Sequence, residues 1–431
     1  MHNSSYKFID LFSGAGGMSI GFMTHPTFRP VFAVDAEVAK PSSRAGSLGC
    51  NLSYEANIGI RVRNTDLKVY SPFSLLEESG LRPGELDVLI ACPPCTGFSR
   101  QLGKNHLEDY PRNCLVERIG CFVDVLRPSV LIMENARELI TGRFSYHYSN
   151  LCEHLNKLGY STSGEIHMLT EFGLPQIRQR AIVVAVREHG QTRTLRDLWE
   201  GYIVKPEALT VRRAIGHLPP IRAGETHPLD PLHVSPGFAN ENTYNRIHNI
   251  PHDGGSWADL VQHPDAESLL IPAMKRIVSR GKYGSFPDVY GRLSWDRPAV
   301  TIKRECAHVG NGRYSHPEQD RLCTVREMAL LQGFPEGYRI TAPGLANKYR
   351  HIGDAVPPLI SYQLAHICHW ILTGYKPDIR ACVLKGTSLD RGDIMSKCVS
   401  ENKSHPVINQ INLGINQWVS RKGTSDFVSK K

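Results

Sequence analysis

A chain of 431 residues is long enough for two folded units, each with its own core. With 41% hydrophobic and 21% charged residues, composition gives no case for wholesale disorder or collagen, and no apolar stretch approaches the length that spans a bilayer. The net charge of +8 permits a polyanionic partner without arguing for one; the eleven cysteines, behind an N-terminus with no apolar signal run, predict reduced cytoplasmic thiols, not a disulfide framework.

In chain order, short β-branched runs alternate with helical stretches, the signature of a parallel α/β sheet. Strands are predicted at residues 7–11, 31–35, 86–91, 130–134 and 181–186, and amphipathic helices at 18–23, 115–126 and 150–158. A doubly wound, mostly parallel Rossmann-like sheet therefore fits residues 1–187, and its chemistry belongs in the loops after each strand. From 188 to about 300 the pattern turns to Pro, Gly, His and Asn, which predicts a second, loop-rich module. Helical periodicity returns at 324–331 and 358–372, and the polar tail from 373 is expected to be weakly ordered.

The first strand runs into Phe12-Ser13-Gly14-Ala15-Gly16-Gly17 and then a helix. Glycines at such a turn let backbone approach a ligand, and the helix N-terminus favours a carboxylate or phosphate. Ser19 stands where a dinucleotide fingerprint has its third glycine, so the turn alone is a weak signal. Asp35 closes the second strand about twenty residues on, where an acid can accept from both ribose hydroxyls. Glu37 competes for that role. Asp66, after the next apolar segment, is a candidate acceptor for an adenine amino group or simply a loop acid.

The strand at 86–91 ends in Cys92-Pro93-Pro94-Cys95-Thr96-Gly97-Phe98-Ser99. Two prolines fix the backbone before Cys95, which places its thiol rigidly at the carboxyl edge of the sheet, as a nucleophile requires. The Cys92-x-x-Cys95 spacing also admits a redox or zinc reading; zinc wants a second ligand pair, which is not evident, and a thioredoxin motif would open a helix. The next strand ends in Glu134-Asn135-Ala136, where a carboxyl group kept protonated by burial can act as a proton donor; a solvated glutamate is the alternative. If residues 176–180 are extended, Gln176, Arg178 and Arg180 share one face toward the same cleft.

Together these residues resemble the cytosine-5 DNA methyltransferase family, of the bacterial restriction-modification type. The motifs stand in order at 10–17, Asp35, Pro93-Pro94-Cys95, Glu134-Asn135, 176–180, 321–335 and 352–357, and the resemblance covers roughly residues 6–372. It implies a class I methyltransferase fold using S-adenosylmethionine, with duplex DNA as partner and no metal. Cytosine C5 is a poor nucleophile until a thiolate adds at C6. The resemblance gives that role to Cys95, assistance at N3 to Glu134, and the hold on a flipped base to Arg178 and Arg180.

By the same resemblance, Phe12 packs on adenine, and Ser13, Gly14, Gly16, Gly17, Asp35, Asp66, Asp354, Ala355 and Val356 line the cofactor site. The last helix returns to the first domain, so residues 1–187 plus 345–372 form the catalytic domain, 188–344 the target-recognition domain and 373–431 a tail. Three departures stand out: Thr96 for the usual Gln, Ala136 for Val, and Asp354 for Asn, where an acid either repels the cofactor carboxylate or engages its ammonium. DNA contacts are expected from Ser99, Arg246, Lys275, Arg276, Arg280 and Lys282, arginines reading bases and lysines meeting phosphates. The chain is expected to act as a cytoplasmic monomer, without a membrane and alongside a restriction endonuclease. The rivals are a cytosine-5 RNA methyltransferase on the same fold and a catalytically silent DNA-binding relative.

Overall fold

A computed structural model describes residues 5–38, 48–98, 108–281 and 288–397. Its centre is a seven-stranded sheet in the order β3-β2-β1-β4-β5-β7-β6. These strands are β1 (Tyr6–Leu11), β2 (Phe28–Asp35), β3 (Arg63–Asn64), β4 (Val88–Ala91), β5 (Val130–Ala136), β6 (Ser161–Met168) and β7 (Gln179–Val186). β7 runs antiparallel to both β5 and β6, and the other neighbours pair in parallel. The expected doubly wound, mostly parallel architecture follows from this order.

β4 and β5 are buried along their whole length, which is why they read as unbroken apolar runs. β6 escaped the sequence reading because Ser161-Thr-Ser-Gly-Glu-Ile-His-Met has no such run; only His167 in it is fully buried. Helices α1 (Gly17–Thr24), α2 (Cys50–Ile58), α3 (Pro72–Ser79) and α4 (Leu115–Leu126) flank the sheet. The helix Pro358–Thr373 lies against α1, close enough that a Cβ on Gly21 would stand 2.3 Å from the backbone nitrogen of Tyr362.

Packing divides the chain differently from the expected boundaries. Leu195, Leu198, Trp199, Val204 and Leu209 belong to the core on the sheet, while Val211 opens a second core that runs to Ile352. The change therefore falls at 209–211 instead of 187, and Tyr349 and Ile352, of a helix expected in the catalytic domain, pack in the second core. The tail expectation is corrected too. Ile379, Cys382, Leu384, Leu389 and Ile394 are buried against the sheet's core, and Ile394–Ser396 pairs antiparallel with Tyr202–Val204. Their irregular spacing gave no period to read. Residues 398–431 lie outside the described residues, as do Ser99 and Lys282. Among the described residues, no helix is long and apolar enough to cross a membrane.

Candidate active site

The loop after β1 is built from unusual backbone. Phe12, Gly14 and Gly16 have φ of 62°, 52° and 88°, and for Phe12, which carries a Cβ, this is strain held in place by its surroundings. Gly16 caps α1 without a side chain, so the helix presents free N–H groups. A Cβ on Gly17 would meet the Val356 carbonyl oxygen at 2.5 Å and the Ala355 Cβ at 2.9 Å, so the loop is pressed against Ala355-Val356. Ser13 Oγ is buried with no hydrogen-bond partner among the described residues.

Asp35, at the end of β2, braces this loop. Its Oδ2 accepts from the Gly14 N–H at 2.9 Å and its Oδ1 from the Glu37 N–H at 2.6 Å. Burial pushes its carboxyl above the ordinary range, against these bonds. Glu37, the competing candidate, accepts from the Asn51 N–H at 2.8 Å and from Asn64 Nδ2 at 3.4 Å, and so holds the start of α2. Asp66 is exposed and accepts from the Lys68 N–H at 2.9 Å.

One residue was missed. Asp10 is buried and accepts from Ser19 Oγ at 2.6 Å, and its Oδ1 has no hydrogen-bond partner among the described residues; burial raises its pKa to about 7. An acid inside an apolar strand, Phe-Ile-Asp-Leu-Phe, was the available signal.

At the adjacent strand edge, Cys95 opens a single 3-10 turn, Cys95–Gly97. Asn135, at the end of β5, donates to the Pro93 carbonyl at 3.0 Å and so ties the Pro-Pro-Cys segment to the neighbouring strand. Glu134 Oε1 and Arg180 Nε are 2.7 Å apart, yet that oxygen is buried without a well-aimed hydrogen bond and keeps accepting capacity. Burial pushes the Cys95 thiol up, Arg180 and Arg178 pull it down, and Glu134 and Asp354 oppose them. The structure thus gathers Cys95, Glu134, Arg180 and Asp354, with Arg178 behind them. Among the described residues, no three His, Cys, Asp or Glu side chains are placed to share a metal ion.

The sequence profile of C-5 cytosine-specific DNA methylases matches residues 6–370. The chain belongs to that family. It is 31% identical over 371 residues to the type II methylase M.HgiDII of Herpetosiphon aurantiacus, across 85% of this chain and 96% of that protein. Against the type II methyltransferase M1.HphI of Haemophilus parahaemolyticus the identity is 30% over 370 residues, across 84% and 86%. The Dnmt2 methyltransferase of S. pombe shares the fold, with a TM-score of 0.53 at 16% identity over 84% of this chain and 98% of that one.

In this methylase, Arg178 is more deeply buried than an exposed basic edge would be. It is 2% exposed and donates to the Ile302 carbonyl at 2.9 Å and to those of Gly353 and Ala355 at 3.4 and 3.5 Å. Its Nη1 also donates to Gln176 Oε1 at 3.4 Å, so these two side chains stay together ahead of β7, which begins at Gln179. Gln176 donates there to Gln332 Oε1 at 2.6 Å and accepts from the Ile302 N–H at 3.0 Å. Arg178 is thus anchored through its terminal nitrogens to the second core, while its Nε is buried with no hydrogen-bond partner among the described residues.

The expected DNA contacts divide in the same way. Arg246 is 5% exposed, donates to the Leu269 carbonyl at 2.5 Å and lies over the Tyr290 ring at 5.1 Å, so it is a packing residue. The apolar-flanked helix Glu241–His248 turns it inward, which loop composition did not reveal. Lys275 pairs with Glu267. Arg276 and Arg280 are exposed.

Asp354 pairs with Arg304 at 3.1 Å, beside the Cys95 environment. Removing a negative charge eases ionisation, so Asp354→Asn should move the pH profile of Cys95 alkylation by iodoacetamide to lower pH. A profile unmoved, or moved to higher pH, would show that Asp354 does not act on this thiol.

Proposed function

We propose that this methylase places a methyl group on C5 of a cytosine rotated out of duplex DNA, through a covalent bond between Cys95 Sγ and cytosine C6. The observation that carries the reading is the meeting of Cys95, Glu134 and Arg180 at one sheet edge, beside the glycine turn. S-adenosylmethionine, when bound, supplies an electrophilic methyl group on a sulfonium. The unpaired Ser13 Oγ and the uncapped start of α1 suit its carboxylate, Asp35 suits its ribose hydroxyls, and Phe12 and Asp66 suit its adenine. Gly14 has open space where a Cβ would stand and so leaves room for it, Gly16 and Gly17 let the turn close on Tyr338 and on Ala355-Val356, and Asp354, paired with Arg304, is the acid offered to its ammonium.

Cys95 adds to C6 as the thiolate. Glu134 holds a proton at N3, which relieves the negative charge that addition builds on the ring, and Arg180 fixes Glu134 and holds O2. C5 then carries the enamine character that a bound S-adenosylmethionine would need in order to give up its methyl group, its sulfur leaving as a neutral thioether. Loss of the C5 proton to solvent and expulsion of the Cys95 thiolate restore the aromatic ring, and the thiolate regains from solvent the proton it gave up before addition, which restores the free enzyme.

Residues 210–352, the module with its own core, are proposed to choose the sequence, because a pocket for one extruded base sees nothing of its neighbours. Arg276 and Arg280 remain as base or phosphate contacts. Action as a cytoplasmic monomer beside a restriction endonuclease belongs to this proposal, and the type II names of the two relatives bear only on the restriction-modification setting. Exchanging 210–352 for the module of a relative with another target should transfer the target, read by bisulfite sequencing of host DNA. An active chimera that keeps the original target would place recognition elsewhere.

Asp35→Ala should raise the cofactor Kd by about 10- to 100-fold, from lost charge-assisted bonds and a loosened Gly14 turn. Isothermal titration with an unchanged Kd would remove Asp35 from the site. The central reading is tested by tritium transfer from labelled cofactor to duplex DNA and to tRNA, together with trapping on a 5-fluorocytosine duplex. Transfer to DNA and an adduct mapped to Cys95 are expected; an adduct at Cys92, or transfer only to tRNA, overturns the reading.

A further inference from the structure

The turn that carries Cys95 is backed by chain from beyond residues 99–107. A Cβ on Gly97 would stand 2.0 Å from Asn113 Oδ1 and 2.8 Å from the Tyr110 Cβ, so the segment 109–113 lies directly against the turn. Asn113 is fully buried there and donates through Nδ2 to Asp109 Oδ1 at 2.8 Å. Whatever fixes Asp109 therefore fixes the wall behind Cys95.

His147 meets that requirement. It sits in the helix Tyr146–Lys157, with its side chain 6% exposed, and the helix packs on α4. Its Nε2 lies 3.1 Å from both Asp109 carboxylate oxygens, and its Nδ1 lies 2.5 Å from Glu117 Oε1 in the first turn of α4. The edge of the same ring meets Phe98, three residues after Cys95, at 6.1 Å between centroids and 87° between planes. One imidazole thus touches the chain on both sides of residues 99–107 and is itself fastened to the frame through Glu117. Without it, Asp109 and Glu117 would face each other as like charges. Tyr146 adds a hydroxyl donor to Asp109 from the same helix.

We propose that His147 is a positioning residue for the nucleophile: through Asp109 and Phe98 it sets where the Cys95 turn stands relative to Glu134. The inference rests on the reading of Cys95 given above. Nothing in the motifs pointed to it. His147 lies outside every motif that carries the resemblance, in a helix whose sequence reads as ordinary amphipathic packing.

The two ring nitrogens can be tested separately. Gln at 147 offers a donor near the place of Nε2 and can still reach Asp109; Asn offers one near Nδ1 and reaches only toward Glu117. His147→Gln should keep kcat for methyl transfer within about threefold of the parent, while His147→Asn should lose roughly tenfold or more, as expected for a nucleophile displaced by a fraction of an ångström. KM for duplex DNA should stay unchanged in both. The exposed Glu153→Gln in the same helix serves as control and should keep the parent kcat. Equal kcat in the Gln and Asn variants, the reverse order, or a loss confined to KM overturns the proposal. Cys95→Ser run in parallel separates the failures: an active Cys95→Ser enzyme sinks the covalent reading itself, whereas an inactive one beside equal Gln and Asn variants sinks only the role of His147.

Discussion

Cys95→Ser should lower methyl transfer by at least about three orders of magnitude while leaving duplex and cofactor binding in place. A serine hydroxyl ionises far less readily than a thiol, and the surroundings of Cys95 already resist ionisation. Burial is the largest influence and pushes the thiol up; Arg180 is the strongest counterweight. The free enzyme consequently carries Cys95 as a thiol at neutral pH, and the alkylation rate of Cys95 should go on rising with pH beyond the range of an ordinary cysteine. Cys92→Ser, by contrast, should keep nearly full activity. Cys92 packs at the margin of the core on the sheet, and burial holds its thiol well above the usual value. Gel-shift affinity and single-turnover transfer, measured on both variants, check the pair. A Cys95→Ser enzyme within tenfold of the parent, or a Cys92→Ser enzyme without activity, would reverse the assignment.

Much of the sheet and its edge chemistry was legible because the signals were local. β4 and β5 are short apolar runs that end in chemistry-bearing residues, so a strand reading also placed Cys95 and Glu134 at one edge. What escaped depended on partners far away in sequence. β6 is polar and becomes a strand only because β7 offers it a ladder. Arg178 was expected in the cleft and Arg246 on DNA, yet each also donates to buried carbonyls that the second core supplies. The segment 379–394 has apolar residues without a period, and their burial is set by the sheet's core, not by their own spacing. His147 gave no signal at all, since its two carboxylates come from different elements, 30 and 38 residues away.

The second core contains a buried ion pair whose loss should be the largest stability effect in the chain. Arg321 donates to both oxygens of Glu327 at 2.8 Å, and each side chain is 1% exposed. Glu327 also completes a capping box, accepting the Thr324 N–H at 2.7 Å while Thr324 Oγ1 accepts the Glu327 N–H at 3.0 Å. Arg321 further donates to Gln319 Oε1 at 2.9 Å and to the Ile221 carbonyl at 3.2 Å, which joins the helix Val325–Leu331 to the loops around it. Arg321→Met would leave a buried carboxylate with only the His316 imidazole, 3.9 Å away, in place of the guanidinium, and should cost about 3–5 kcal/mol. The arginine and the bonds of the cap outweigh burial and hold the Glu327 carboxyl at about 2, below its ordinary 4.5. A depressed carboxyl favours the folded state above its unfolded value, so this stabilisation is complete above pH 4.5 and is lost as pH falls toward 2. The parent should therefore lose stability on acidification through that window, and Glu327→Gln should show a shallower loss from a lower starting point. Urea unfolding between pH 3 and 7 checks both. Replacing the pair together with apolar residues should recover part of the stability lost by Arg321→Met alone, because the uncompensated charge is then gone. If Arg321→Met unfolds at the parent's urea concentration, the pair contributes nothing net, and the hydrogen-bonded cap alone holds this helix.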